Sequence, residues 1–236
     1  MLPLFYLPSI PTGESIEVSG DVAHHAIIVT RLAVGEQLTL SDGRGAWATG
    51  TISSATKKSF TFQVSEWGSH SSQRPLLTVV QALPKSDRTK EAIELMVEAG
   101  VDRIIPWQAS RSIAKWQSDS QAKWQQSAET AAQQARRYFV PKVEESVKSA
   151  ELIALLGKSL LLHESASTQI SSVVDKSWLE YSEIFIIIGP EGGVSEEELE
   201  LFAPHAAIVK LGTPVLRSAH AAIAALASVN SLLGRW

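Results

Sequence analysis

Cysteine is absent from the 236 residues of this chain. Its absence excludes disulfide bonds, metal sites built from thiolates and any catalytic step that proceeds through a cysteine adduct. Three of the histidines, His24, His25 and His220, have no partners at metal-ligand spacing, so no metal site is expected.

Long apolar runs are also missing. No stretch approaches the ~20 residues needed to cross a bilayer. The start, MLPLFYLPSI, lacks a basic segment and carries Pro3 and Pro8, so a signal peptide is not expected. These features predict a cytoplasmic protein. Neither of the glycine-rich nucleotide motifs, G-x-x-x-x-G-K-[ST] and G-x-G-x-x-G, occurs.

Positive charge is scarce overall, because the net charge is -4, which by itself argues against a nucleic-acid partner. The charge is unevenly distributed, however. Residues 75–150 form the only third of the chain in which Lys and Arg outnumber Asp and Glu, and this third also contains Trp107, Trp116, Trp124 and Tyr138. A local basic face therefore remains compatible with the acidic total.

Two patterns divide the chain. The first ~70 residues alternate like strands, with a hairpin-type turn at SDGRG and Phe60, Phe62 and Val64 on one face. They predict a small β-barrel domain over 1–72, in which DVAHHAIIVTRL forms a short helix and residues 66–75 a linker. After Pro75, short apolar strands alternate with helices, among them 118–138, which predicts a parallel α/β sheet over 73–236.

Ligands of such sheets bind outside the carboxyl ends of the strands. Three strand ends carry unusual residues: LLLHES, IIIGPEGG and VKLGTPVLRS. In the second, Gly192 and Gly193 allow close approach of a ligand or another backbone. Ser195 and Glu198 form a capping box behind them. The sequence of this loop is equally compatible with a purely structural strand-to-helix turn and with a loop that forms part of a binding site.

Several arginines have two interpretations. Arg217 precedes an alanine-rich helix, and a plain surface arginine is the commoner explanation for a lone one. The helix itself is typical of core packing and less often of a dimer face. Arg136 and Arg137 end the long helix, where they either compensate the helix dipole or bind RNA.

Taken together, IIIGPEGGVSEEEL and KLGTPVLRSAHAAIAAL resemble the RsmE family of the SPOUT methyltransferase superfamily. HHAIIVTRLAVGEQLTLSDGRGAW resembles the PUA-like barrel of that family, and AAQQARRYFVP its glutamine-arginine helix end, so the resemblance spans nearly the whole chain. It implies a SPOUT-type α/β fold with a deep trefoil knot and a parallel sheet flanked by helices. It also implies a homodimer.

The resemblance further implies methyl transfer from S-adenosylmethionine to N3 of one uridine in 16S rRNA, the RNA of the small ribosomal subunit, near the decoding site. Family motifs place the cofactor on residues of the three strand ends: Leu162, His163, Glu164, Gly189, Pro190, Glu191, Gly192, Gly193, Leu211, Gly212, Val215, Leu216 and Arg217. The candidates for gripping RNA phosphates are Arg31, Lys85, Arg88, Arg111, Arg136 and Arg137.

The chain departs from the family pattern where many relatives have Arg-Thr-Glu-Thr and this sequence has Arg217, Ser218, Ala219 and His220. A glutamate base at position 219 is excluded. Arg217 is predicted to stabilise negative charge on the uracil, with Glu191 or His220 assisting proton removal. The alternatives are ribose 2′-O-methylation by another SPOUT enzyme and a non-catalytic RNA-binding protein of ribosome assembly.

Overall fold

The computed structural model of the protein describes residues 2–236, apart from the side chain of Ser86. Met1, the first residue of the predicted barrel domain, lies outside the described residues. The chain divides into two compact units, one formed by Met1–Ser72 with Ala132–Val140 and the other by Gln73–Ala131 with Pro141–Trp236. The first of these segments ends at Ser72, and the predicted domain bounds, 1–72 and 73–236, stay a prediction. The grouping of 132–140 with the first unit was not expected from the sequence.

The first unit is a five-stranded sheet with a short helical segment. Its strands and helices are β1 (Leu4–Tyr6), β2 (Ser15–Ser19), α1 (Asp21–His24), a π-helical turn (His25–Val29), β3 (Gln37–Ser41), β4 (Ala46–Ala55) and β5 (Ser59–Ser69). The strand order is β1-β3-β4-β5-β2, and every pair except β1 with β3 is antiparallel. Phe60 and Phe62 are buried in its core with Val64 packed beside them, as their alternation predicts. Because β5 continues to Ser69, the first part of the predicted linker is strand.

The remainder of the chain alternates strands and helices. Its elements are β6 (Leu76–Ala82), a 3-10 turn (Ser86–Arg88), α2 (Thr89–Glu98), β7 (Arg103–Gln108), α3 (Ser120–Gln134), β8 (Lys142–Val143), β9 (Val147–Lys148), α4 (Ser149–Ile153), β10 (Lys158–Leu162), two 3-10 turns (Ile170–Ser172 and Lys176–Glu180), β11 (Glu183–Ile188), α5 (Glu196–Phe202), β12 (Ala207–Val209) and α6 (Ser218–Leu233).

The second sheet is parallel throughout, which confirms the predicted α/β class. Its order is β12-β10-β11-β6-β7-β8, with β9 also paired to β7. At the carboxyl end, Leu162 of β10 pairs with Ile188 of β11 on one side and with Val209 of β12 on the other. The three predicted strand-end loops therefore leave the sheet at the same level and side by side. The trefoil knot stays a prediction.

Helix α2 begins after a separate turn, and helix α3 ends earlier than predicted. The N-cap of α2 is Arg88, which makes no side-chain capping bond, because Ser86–Arg88 form a separate 3-10 turn. Ser86 and Asp87 therefore precede the helix; the side chain of Ser86 is outside the described ones. Helix α3 ends at Gln134, before the predicted Tyr138, because Arg136 adopts a left-handed conformation with φ of 54°. No helix within residues 2–236 is long and apolar enough to span a membrane.

Candidate active site

The three strand-end loops after β10, β11 and β12 surround one cavity. Its volume is about 340 Å³, which falls within the range of roughly 300–1,000 Å³ typical of small-molecule sites. It is lined by residues of all three loops and of the first turn of α6: Leu162, His163, Glu164, Ile188, Gly189, Pro190, Glu191, Gly193, Val194, Lys210, Leu211, Gly212, Pro214, Val215, Leu216, Arg217, Ser218 and Ala221. The position agrees with the rule that ligands of parallel sheets bind at carboxyl ends.

The predicted cofactor residues all line this cavity except Gly192. Several lining residues were not predicted from the sequence: Ile188, Val194, Lys210, Pro214, Ser218 and Ala221. Most of them are immediate neighbours of predicted residues. Ala221 could have been found from its helical spacing, since it lies four residues after Arg217 and thus on the same face of α6.

Ser218 connects the glycine loop to the sheet and to α6. Its hydroxyl donates to the Gly189 carbonyl over 2.8 Å and accepts from Gln81 Nε2, also over 2.8 Å. Both Ser218 and Gln81 are buried, so these bonds are shielded from water. Ser218 therefore fixes the start of the glycine loop.

Glu198 holds the other end of the glycine loop. It forms the predicted capping box with Ser195, and its carboxylate also accepts from the backbone N–H and hydroxyl of Ser110 and from the hydroxyl of Ser149, at 2.8–2.9 Å. The residue is only 5% exposed. Burial alone would raise the pKa of Glu198, but these donors together lower it below the ordinary value. The carboxylate is therefore ionised at neutral pH and ties three segments together.

Gly192 packs against Arg111 instead of lining the cavity. A Cβ atom built at Gly192 would lie 3.2 Å from Cβ of Arg111 and 3.3 Å from its carbonyl oxygen. In addition, Nη1 of Arg111 donates to the Gly192 carbonyl over 3.3 Å. Of the two reasons for a glycine here, close approach of a ligand or of another backbone, the structure supports the second.

This contact yields a test with a matched control. We expect Gly192→Ala to weaken S-adenosylmethionine binding by about tenfold, since crowding Arg111 shifts the loop at a cost of about 1–2 kcal/mol. The control is Gly157→Ala, where the nearest atom to a Cβ is a ring carbon of Phe185 at an ordinary 3.6 Å. Calorimetric titration of both variants measures the difference. Equal affinity in the two variants would show that the loop tolerates the added methyl group.

The three candidates for catalysis differ in their relation to the cavity. Arg217 is the exposed N-cap residue of α6 and lines the cavity. Glu191 also lines it and is exposed, with a 3.3 Å bond from the Lys85 backbone N–H. His220 is not a lining residue; its Nε2 lies 3.6 Å from Oε1 of Glu91 on α2. Only Arg217 and Glu191 can therefore meet a substrate inside the cavity.

Glu91 explains why His220 points away from the cavity. It accepts a 2.9 Å bond from Arg88, and this bond, with the positive charge of Arg88, lowers the pKa of the Glu91 carboxyl. Ala219, where many relatives have Glu, is buried at 6% exposure and does not line the cavity either. The first turn of α6 thus presents Arg217, Ser218 and Ala221 to the cavity.

The predicted RNA-contacting residues fall in both units. In the second unit, Lys85 and Arg111 are exposed, and both contact the glycine loop through Glu191 and Gly192. Arg88 is half-buried and paired with Glu91. Arg111 and Lys85 therefore lie beside the cavity, as an RNA contact near the reaction site requires.

In the first unit, Arg31 and Arg136 share an unusual backbone. They are the only non-glycine residues within 2–236 that have positive φ, at 61° and 54°. Both are exposed, while the neighbouring carbonyl of Arg137 accepts from the Tyr6 hydroxyl. Left-handed backbone costs about 1 kcal/mol or more for a side chain with a Cβ and is often kept at functional positions.

Comparisons with known proteins agree with this geometry. A family model described as RNA methyltransferase domain matches residues 71–230, and one described as RNA methyltransferase PUA domain matches residues 18–65. The chain is 37% identical to ribosomal RNA small subunit methyltransferase E of Mycobacterium bovis, over 99% of this chain and 93% of the relative. It is 29% identical to the protein of that name from Bacillus subtilis, over 94% and 91%.

Solved structures with the same fold include two that contain a cofactor. The ribosomal RNA small subunit methyltransferase E of Neisseria gonorrhoeae, bound to S-adenosyl methionine, superposes with a TM-score of 0.87 at 25% identity and 98% coverage of both chains. A putative methyltransferase of Legionella pneumophila, in complex with the same cofactor, gives 0.85 at 28% identity, again with 98% coverage of both. The SPOUT-type fold and the PUA-like domain predicted from the sequence are confirmed.

Proposed function

This chain belongs to the ribosomal RNA small subunit methyltransferase E family, and from that membership and the cavity we infer that it methylates N3 of one uridine in 16S rRNA. Methylation of small-subunit rRNA with S-adenosylmethionine is the activity of the family. The choice of uridine and of its N3 atom is our proposal. The observation that supports it best is the single cavity formed by the three strand-end loops.

The cavity fits the proposed cofactor in charge as well as in size. Two carboxylates, Glu164 and Glu191, line it and suit the cationic sulfonium and amino groups. A cation, Lys210, lines it as well and suits the carboxylate of the methionine moiety. Gly189 and Gly212 add backbone that a ligand can approach closely. When bound, the cofactor supplies a methyl group activated by its positive sulfur.

The chain itself has to prepare the uracil for attack. Loss of the N3 proton leaves an anionic ring, which needs alignment and charge stabilisation. We assign charge stabilisation to the guanidinium of Arg217 and proton removal to Glu191, because both line the cavity and His220 does not. The absence of cysteine agrees with this route, because attack by a ring nitrogen requires no thiolate adduct.

The partners follow from the same proposal. The RNA is read by the PUA-like unit and by basic residues beside the cavity, and the substrate is the 16S rRNA or the small subunit that contains it. We further propose that the protein works in the cytoplasm as a homodimer. Light scattering at micromolar concentration tests the dimer independently of activity.

A test of the target uses a strain from which this protein is deleted. N3-methyluridine cannot pair, so it stops reverse transcriptase on wild-type 16S rRNA. We expect that one such stop, near the decoding site, disappears in the deletion strain and returns with the restored protein. A stop that persists in the deletion strain would refute the assignment.

The same strain also separates the alternatives. A ribose 2′-O-methyl group generally lets reverse transcriptase pass at ample nucleotide, so loss of methyl incorporation without loss of a stop would favour that activity. A non-catalytic assembly protein predicts neither change. Calorimetry with S-adenosylmethionine adds a direct check, because absence of heat at millimolar cofactor would contradict an enzyme.

A further inference from the structure

A short exposed loop follows β7 beside the cavity. We refer to residues 111–115, with the sequence RSIAK, as the rim loop. Arg111, Ile113 and Lys115 point to solvent, whereas Ser112 between them is buried at 6% exposure. Ile113 is 69% exposed, more than Leu155, Leu179 or Leu201 in the same unit. The loop thus presents an isoleucine to water between two cations.

The rim loop is held at both ends by side-chain hydrogen bonds. Before it, the backbone N–H and hydroxyl of Ser110 bind the buried carboxylate of Glu198. After it, Gln108 donates to the Ala114 carbonyl over 3.0 Å and accepts from the Trp116 backbone N–H over 3.2 Å. Four bonds from two buried or half-buried side chains therefore fix a segment of five residues. Ile113 remains exposed on a loop that is held in place.

The rim loop also lies next to the reaction site. Arg111 binds the Gly192 carbonyl and packs against the Gly192 backbone, as described above. The two neighbours of Gly192, Glu191 and Gly193, both line the cavity. Ile113 is two residues from that contact, so it lies near the edge of the cavity.

The proposed reaction requires that the target uridine be unstacked close to the rim loop. A uridine that presents its N3 atom to a methyl donor bound in this cavity must leave the stack of its neighbours. Apolar side chains that insert between bases offset part of the cost of unstacking, and isoleucine is one of the residues used in this way. Cations on either side of such a wedge can contact the flanking phosphates. The rim loop supplies both kinds of group.

On the basis of the proposed function, we propose that Ile113 is a wedge that fills the stacking position vacated by the target uridine. Arg111 and Lys115 contact the phosphates on either side of it. The occupant of this surface is RNA with an unstacked nucleotide, because the exposed apolar residue is flanked in the loop by two exposed cations. A protein partner would instead need carboxylates placed around an apolar pocket. Binding of such a protein is an alternative that the experiment distinguishes.

The test compares Ile113→Ala, Ile113→Leu and a control, Leu155→Ala, which shortens another exposed side chain of the same unit that is 46% exposed. Single-turnover methylation is measured on small subunits purified from the deletion strain, together with affinity for the subunits and for S-adenosylmethionine. We expect Ile113→Ala to slow methylation at saturating subunits by about tenfold or more. Ile113→Leu should retain most of the rate, and cofactor affinity should change less than about twofold.

The two cations of the rim loop, Arg111 and Lys115, are tested separately through the salt dependence of subunit binding. Lys115→Ala should weaken subunit binding and reduce the slope of log K against log salt by about one, since one phosphate contact is lost. Lys123→Ala, at an exposed cation of α3, should leave the slope unchanged.

Each outcome decides the proposal. A rate for Ile113→Ala within twofold of wild type at saturation overturns the wedge. A loss confined to affinity and restored at saturation identifies Ile113 as a docking contact, for a ribosomal protein or for RNA, and also overturns it. Wild-type protein that transfers no methyl group to these subunits refutes the proposed function, and the wedge with it. If the wild type methylates these subunits and Ile113→Ala does so at the same rate, the wedge is refuted but the proposed function is not.

Discussion

Replacing Arg217 with alanine should lower kcat by about 100- to 1,000-fold and change the Kd of S-adenosylmethionine by less than about threefold. The backbone of Arg217 helps to form the cavity wall and starts α6, and alanine preserves both. Its side chain makes no hydrogen bond or ion pair within residues 2–236 and is exposed. The guanidinium is therefore available for a charge that develops only during the reaction.

Single-turnover kinetics and calorimetry separate the two quantities. Arg217→Lys should recover part of the rate, because a point charge remains while the planar fork is lost. Lys123→Ala, which removes an exposed cation elsewhere in the same unit, should affect neither quantity. Equal losses in kcat and in cofactor affinity for Arg217→Ala would contradict a role directed at the uracil. A larger loss for His220→Ala than for Glu191→Gln would contradict the assignment of proton removal to Glu191.

Replacing Glu198 with alanine should lower the free energy of unfolding by about 3 kcal/mol. The change removes a buried acceptor and leaves donors of Ser110, Ser149 and Ser195 without it, and each unsatisfied buried donor costs about 1–3 kcal/mol. Water entering the space recovers part of that cost, so the sum is smaller than the individual losses. Urea unfolding at pH 7 measures the difference. Glu196→Ala is the matched control, because Glu196 lies in the same first turn of α5 but is exposed.

The stabilisation by Glu198 should depend on pH with a definite sign. The folded-state pKa of its carboxyl is lowered below the ordinary value of 4.5, so its contribution is complete above that pH. The contribution is lost as pH falls through the folded-state pKa. The difference in unfolding free energy between wild type and Glu198→Gln should therefore shrink as pH falls below about 4.5. A difference that grows with acid would show that the carboxylate destabilises the folded state.

Glu198 also illustrates how far the sequence can be interpreted. The S-x-x-E spacing predicts a capping box, and the structure confirms it. The same spacing says nothing about Ser110 and Ser149, which are distant in sequence and reach Glu198 only after the strands are paired. Of the three glutamates in the first turn of α5, Glu198 is turned inward and its carboxylate is hydrogen-bonded.

At Gly192 the sequence pattern was compatible with two structural reasons for a glycine, and the sequence could not choose between them. A glycine in a strand-to-helix loop allows either a ligand or a backbone to approach, and local sequence is the same for both. The structure shows Arg111 at that place, because β7 lies next to β6 and β6 next to β11, which brings the two loops together. Sheet order is a property of distant pairing, so this choice required the tertiary structure.

The three strand-end loops could be predicted because apolar strands, glycines and caps are local signals. Strand class, the parallel sheet, the positions of the cavity loops and the absence of thiol chemistry all follow from residues within a few positions of one another. Only the tertiary structure determined which loop residues share the cavity. It also determined that His220 contacts Glu91 and that Ile113 is exposed on a loop held by hydrogen bonds. Those facts depend on contacts between segments far apart in sequence, whose geometry is fixed only when the whole core packs.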